Sequence, residues 1–262
     1  MKSVRVGCVK YLNARPLIRG WPGNVEFDHP SALCERLAKG QLDVALVSSF
    51  EFLRNPIYRI VDSVSISSDG PVYSVVVAYR GEFSNIEEIE LDPASETAAN
   101  LLRCLLAELG LTPRLTGGGS ERAGSARSRL IIGDQAIRFR QNHADGYQCW
   151  DLGQHWKKLT GLPFVYALWL IRPEVPDAQS IAQRVRRLRD ENIADAAGVV
   201  ADAVADIADN SRAITREFFY RYYYEYLRFG FGAREKQGLQ TFADLCTKHG
   251  VLPKRVREFS LV

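Results

Sequence analysis

A short apolar run near the start of the chain, Val4 to Val9, leads into Lys10-Tyr11-Leu12-Asn13-Ala14-Arg15-Pro16-Leu17. A phenol, an amide and a guanidinium stand close together here. They precede a helix that Pro16 is suited to open, because a proline loses no hydrogen bond in the first helical turn. The carboxyl end of a strand beside a helix N-terminus carries free backbone N–H groups, and ligands of open α/β sheets bind there. Asn13 offers a donor and an acceptor without charge. Two roles fit it on this local pattern, a cap for the helix and a contact to a ligand.

Other polar residues recur at the same kind of place. Ser48 and Ser49 end the apolar run from Leu42, Ser74 interrupts the run Val72 to Tyr79, and Ser95 and Thr97 open the long helical stretch Ala98 to Leu109. Gly133 and Asp134 follow Leu130-Ile131-Ile132. All but Asp134 are uncharged. Hydroxyls, an amide and helix N-termini in convergence would hold a carboxylate. The histidines (His29, His143, His155, His249) fall elsewhere, and the chain has no His-Glu-x-x-His, Gly-x-Ser-x-Gly or Cys-x-x-Cys. Neither a metal site, a serine triad nor a histidine base is therefore expected. Gly117-Gly118-Gly119-Ser120 lacks the Gly-Lys-Ser/Thr ending of a phosphate loop and reads as a surface connection. The residues alone point to a two-lobed binder of a small anion.

The elements that must position these residues follow from periodicity. Up to about residue 55 the pattern alternates strand and helix, which implies a mostly parallel sheet. A polar break near residue 80 and an apolar return at Phe164 to Ile171 suggest a discontinuous architecture. One lobe takes residues 1–80 and 170–262, and the other takes 81–169. Val72 to Tyr79 and Phe164 to Ile171 join them, with a ligand cleft between the lobes. The last third is helical. Its basic run, Arg184 to Arg189, reads as a solvated face, and Phe218, Phe219, Tyr222, Tyr223 and Tyr226 read as a core stripe.

Composition sets the broad class. The chain has 262 residues, 46% hydrophobic and 25% charged, with a net charge of +3. That is an ordinary globular composition, and the charge is too mild to argue for nucleic acid. No run is long enough for a membrane span, and no apolar segment precedes the first strand, so a cytoplasmic protein is expected. The five scattered cysteines read as free thiols.

Several ordered motifs together resemble the chorismate dehydratase family of the futalosine route to menaquinone. They are Tyr11-Leu12-Asn13-Ala14-Arg15-Pro16-Leu17, Pro30-Ser31, Gly40 to Ser49, Gly70-Pro71-Val72-Tyr73-Ser74-Val75 and Ile132-Gly133-Asp134-Gln135-Ala136. The longest runs from Asp151-Leu152-Gly153 through Trp156 and Gly161-Leu162-Pro163-Phe164-Val165-Tyr166-Ala167 to Trp169. The resemblance spans about residues 4–246. It implies an α/β, two-lobed, periplasmic-binding-protein-like fold (type II) with two interlobe crossover segments. It also implies loss of water from chorismate, giving 3-[(1-carboxyvinyl)oxy]benzoate, without a cofactor, in a monomer or homodimer. By the same resemblance Asn13 and Ser74 stand nearest the chemistry. Tyr11, Arg15, Ser48, Ser49, Ser95 and Thr97 bind substrate, and Gly133 and Asp134 shape the cleft, unless Asp134 only caps the following helix. The family commonly has serine where this chain has Ala98. Other readings are 1,4-dihydroxy-6-naphthoate synthase of the same pathway, for which a histidine base in the cleft would be the mark, and a non-catalytic solute-binding protein.

Overall fold

The structure, a computed structural model, describes residues 4–117, 128–142, 146–207, 214–254 and 258–262. The chain begins with β1 (Val6–Val9), a 3₁₀ turn over Leu12–Ala14, α1 (Arg15–Ile18), β2 (Val25–Asp28), α2 (Pro30–Ala38), β3 (Val44–Ser48), α3 (Ser49–Arg54) and β4 (Arg59–Ser68). It then crosses into β5 (Val75–Tyr79), β6 (Glu88–Leu91), α4 (Glu96–Glu108), β7 (Arg114–Gly117), β8 (Arg129–Ile132), α5 (Gly133–Asn142), β9 (Gln148–Asp151) and α6 (Leu152–Thr160). It returns through β10 (Phe164–Ile171) to α7 (Ala178–Ala194), α8 (Ala196–Ile207), α9 (Arg216–Arg221), a π-helical turn over Tyr222–Tyr226, and α10 (Ala233–Lys248).

Two five-stranded sheets result, in the orders β2-β1-β3-β10-β4 and β7-β6-β8-β5-β9. β1 pairs in parallel with β2 and β3, as the early alternation predicts. β10 runs antiparallel to both β3 and β4, because it arrives from the other lobe in the opposite direction, so the sheet is mixed rather than mostly parallel. Strand pairing also moves the boundaries expected at residues 80 and 170. Val75–Tyr79 pairs with β8 and β9 in the second sheet, and Phe164–Ile171 lies wholly in the first. The crossings are therefore residues 69–74 and 161–163. An apolar run at a lobe boundary reads the same from either side, and only its pairing partners assign it.

Other departures are local. β9 is too short, and half-exposed in its first two residues, to leave a clear pattern. The stretch 178–208 is two helices, broken at Asp195, whose carboxylate accepts from the Gly198 N–H at 3.1 Å. Part of the basic run turns inward. Arg186 donates to the Val262 carbonyl at 2.9 Å, and Arg189 to those of Ser63 at 2.7 Å and Phe229 at 2.9 Å. Gly118, Gly119 and Ser120 lie outside the described residues. Among the described residues no helix is long and apolar enough to cross a membrane.

The core joins the lobes. Trp156 on α6 is fully buried against Phe164 of β10 and Phe242 of α10, and its indole N–H donates to the Pro163 carbonyl at 3.1 Å. A ring that large, with its one polar atom satisfied, fixes the second crossing. None of the five cysteines, all among the described residues, is in a disulfide.

Candidate functional site

The carboxyl ends of β1 and β3 in the first sheet face the starts of α4 and α5 in the second. Between them lies a narrow cavity of about 50 Å³, with Tyr11, Asn13, Ser48, Ser74, Ser95 and Tyr166 among its polar lining. Six positions singled out in the sequence thus meet here: Tyr11, Asn13, Ser48, Ser74, Ser95 and Gly133. Ala98 lines the same cavity, where a serine would have added a hydroxyl.

Asn13 sits in the 3₁₀ turn after β1. Its Oδ1 is buried and has no hydrogen-bond partner among the described residues. A side chain serving only as a cap would have spent that oxygen on a backbone N–H.

Ser74 is held from several sides. The Asp151 carboxylate accepts from the backbone N–H groups of Val72 at 3.1 Å and Tyr73 at 2.8 Å, and caps α6 by accepting from Gln154 at 3.1 Å. Tyr73 takes the left-handed conformation, φ 67°, rare for a residue with a side chain. Arg140 holds it there, donating to its carbonyl at 3.1 Å and lying 3.8 Å over its ring. The Gly133 N–H donates to the Ser74 carbonyl at 2.7 Å. Gly133 itself has φ 57°, and a Cβ there would come within 2.9 Å of the Tyr11 ring. Only glycine lets α5 start this close to Tyr11. Tyr222 donates to Ser74 Oγ at 2.8 Å.

Ser48, Ser49 and Thr97 form a seam between the lobes. The Ser48 and Thr97 hydroxyls are hydrogen-bonded, and Thr97 Oγ1 also accepts from the Phe50 N–H at 3.0 Å, near the start of α3. Ser49 donates to the Val165 carbonyl at 2.7 Å. Ser49 and Thr97 therefore stand behind Ser48, outside the cavity lining. Ser95 caps α4 by accepting from the Ala98 N–H at 3.2 Å. Ser95→Ala is expected to cost about 1 kcal/mol, a fall in Tm of roughly 2–4 °C, read by thermal unfolding. An unchanged Tm would mean that the cap carries no weight.

Arg15 and Asp134 do not reach the narrow cavity. Both line a neighbouring one, with Lys10 and Arg138, and Arg15 is ion-paired with Asp206 of α8. Asp134 accepts from the Leu12 N–H at 3.0 Å, tying α5 to the loop that carries Asn13. Burial pushes its carboxyl above the usual carboxylate range, against the pull of the Leu12 N–H, Arg138 and Arg15. A raised folded-state pKa means that the ionised form costs stability above that pKa, and that the cost fades as pH falls through it. Asp134→Asn keeps an oxygen for Leu12 and removes the buried charge. It is expected to raise Tm at neutral pH and to converge on the parent protein in acid. A Tm lowered at neutral pH but equal to the parent's in acid would show that the charge itself is needed.

Tyr11 O–H and His29 Nδ1 lie 3.4 Å apart, and His29 faces a wider outer cavity with Asp92. Burial raises the Asp92 carboxyl above its ordinary range. None of the described residues lining the narrow cavity is a carboxylate or an imidazole. No group of three or more metal-binding side chains occurs among the described residues. Sequence reasoning did not pick out Asp151, Tyr166 or Tyr222 as site residues. Asp151 and Tyr166 stood only within the longest motif, and Tyr222 in the stripe read as core.

Residues 4–248 match the family described as menaquinone biosynthesis. A chorismate dehydratase from Thermus thermophilus is 30% identical over 213 residues, covering 74% of this chain and 79% of that protein. Among solved structures, the alkanesulfonate-binding protein of Xanthomonas axonopodis pv. citri bound to MOPS superposes with a TM-score of 0.70 at 17% identity, covering 99% of this chain and 97% of that one. The periplasmic aliphatic sulphonate binding protein of Escherichia coli gives 0.65 at 15% identity, covering 98% and 97%. The fold is thus periplasmic-binding-protein-like, as the resemblance implied.

Proposed function

We propose, from the premise that this chain belongs to the menaquinone biosynthesis family, that it is a chorismate dehydratase, a carbon–oxygen lyase giving 3-[(1-carboxyvinyl)oxy]benzoate on the futalosine route. The observation that carries this reading is the narrow cavity between the lobes. It is lined by neutral hydroxyls and by an amide whose buried oxygen lacks a partner among the described residues. The family relative from Thermus thermophilus supplies the substrate class.

The chemistry suits such a lining. The ring C–H on the carbon bearing the enolpyruvyl ether is acidified through the diene by the ring carboxylate. Its proton leaves, the electron pair moves into the diene and carboxylate as an extended enolate, and the neighbouring C–O bond then breaks. Hydroxide departs, takes up a proton as water, and the ring becomes aromatic. The drive to aromatise lowers the demand on the protein. What remains is to hold the substrate in one pose and to meet the developing charge with fixed donors. Asn13 and Ser74 take that role. Ser48 and Ser95, with Tyr11, receive the carboxylates.

The substrate's own side-chain carboxylate acts as the base. Asp134 lines the neighbouring cavity, and its carboxylate is occupied by the Leu12 N–H. The histidine expected of 1,4-dihydroxy-6-naphthoate synthase has no counterpart among the described lining residues. The test is to incubate the purified protein with chorismate and to separate the products by liquid chromatography with mass detection. A product lighter by one water, with a benzoate spectrum, is the expected result. Chorismate that binds but returns unchanged would make the protein a solute binder instead. A collapse of turnover in Asp134→Asn would overturn the substrate-base mechanism.

A further inference from the structure

α9 widens into a π-helical turn at Tyr222–Tyr226, which includes three consecutive tyrosines. π turns are rare and gather at functional sites, because they give up regular geometry to re-aim side chains. In an α-helix, consecutive side chains diverge by about 100°. Here the first two tyrosines address two neighbouring parts of the cleft. Tyr222 donates to Ser74 Oγ at 2.8 Å, and Tyr223 donates to the Leu12 carbonyl at 3.0 Å, one residue before Asn13. Both rings are buried, Tyr222 fully.

A buried phenol must place its one hydrogen on an acceptor. For Tyr222 the acceptor among the described residues is Ser74 Oγ. Burial pushes the phenol's pKa up, so it stays a donor through the working pH range. A serine oxygen that accepts from behind keeps its own hydrogen for the other side, and the other side of Ser74 is the cavity.

We propose that Tyr222 is a positioning residue: by donating to Ser74 Oγ from behind, it turns the Ser74 hydroxyl into a donor aimed into the cleft, at the enolate formed from chorismate. This inference rests on the dehydratase reading. Without the phenol hydroxyl the Ser74 rotor is free, and part of its population points its hydrogen away from the developing charge. The loss falls on the transition state rather than on substrate binding.

The experiment is a double-mutant cycle on chorismate turnover with Tyr222→Phe, Ser74→Ala and the double variant. Tyr222→Phe is expected to lower kcat about tenfold, with KM changed less than twofold. On the Ser74→Ala background the same change is expected to cost nothing further. Placing 3-fluorotyrosine at position 222 keeps ring and hydroxyl, and is expected to restore kcat to within about twofold. This variant also provides the readout should the phenylalanine variant fold poorly. An active parent protein whose kcat is indifferent to Tyr222→Phe overturns the inference alone. So does an equal fall in kcat with and without Ser74, which marks a general loss of packing. A fluorotyrosine protein that stays as slow as Tyr222→Phe does so too. A parent protein that leaves chorismate untouched overturns the dehydratase reading, and this inference with it.

Discussion

Asn13→Ala is expected to lower kcat for chorismate by about 10²–10³-fold while leaving the fold intact. The magnitude is that of removing one preorganised donor from a site where negative charge develops in a water-poor pocket. The reason to expect the upper part of the usual range is structural. The amide oxygen of Asn13 is buried and has no hydrogen-bond partner among the described residues. That oxygen can only accept, so a hydroxyl of the bound substrate is the natural means of recovering its cost, while the amide N–H₂ of the same side chain is the donor to the developing charge. Truncation therefore removes a contact to the ligand without removing one within the protein. Steady-state kinetics beside a thermal unfolding curve would decide the matter. A loss of less than tenfold, at unchanged Tm, would reduce Asn13 to a structural element of the turn.

Asp151→Ala is expected to produce the largest loss of stability, about 3–5 kcal/mol. The carboxylate accepts from three backbone N–H groups, those of Val72, Tyr73 and Gln154, and lies 3.6 Å from Arg140. Each donor stranded in a buried place costs about 1–3 kcal/mol, partly relieved where water reaches it. The activity should fall further than the stability, because Val72 and Tyr73 deliver Ser74 to the cleft. Tyr73 also has little reason to keep φ 67° once its N–H is released. Asp151→Asn retains one acceptor oxygen and should lose less. Urea unfolding followed by its midpoint, together with turnover of the fraction still folded, measures both effects. A folded Asp151→Ala protein with full activity would show that the crossing holds its shape by other means.

Much of the site was legible in the residues because it obeys a local rule. Asn13, Ser48, Ser95 and Gly133 all stand where a strand ends or a helix begins, and those ends converge when sheets pack edge to edge. What was not legible depends on partners far along the chain. Arg15 matched a motif, yet its guanidinium is ion-paired with Asp206 on α8, and no spacing near Arg15 announces that. Asp151 stood in a motif ahead of a helix, which it caps, but its other donors, Val72 and Tyr73, lie in the first crossing. The tyrosines of 222–226 fit a helical stripe, and only the widening of the turn separates packing from aim. The lobe boundaries slipped by one strand at each end because pairing, not hydrophobicity, decides which sheet owns β5 and β10.

The seam described between Ser48, Phe50 and Thr97, with the Leu12–Asp134 tie, also sets a rate problem. These hydrogen bonds join the lobes across the same gap that chorismate must enter. If the lobes part at these three bonds to admit substrate, the parting is expected to cost roughly 2–4 kcal/mol, at about 0.5–1.5 kcal/mol each. The arrangement that admits substrate is then a minority of about one molecule in a hundred, and the apparent affinity is weaker than the intrinsic one by the same factor. Arrival and departure are therefore governed by how often the lobes part, so that turnover would be limited by breathing of the protein rather than by the aromatisation it promotes.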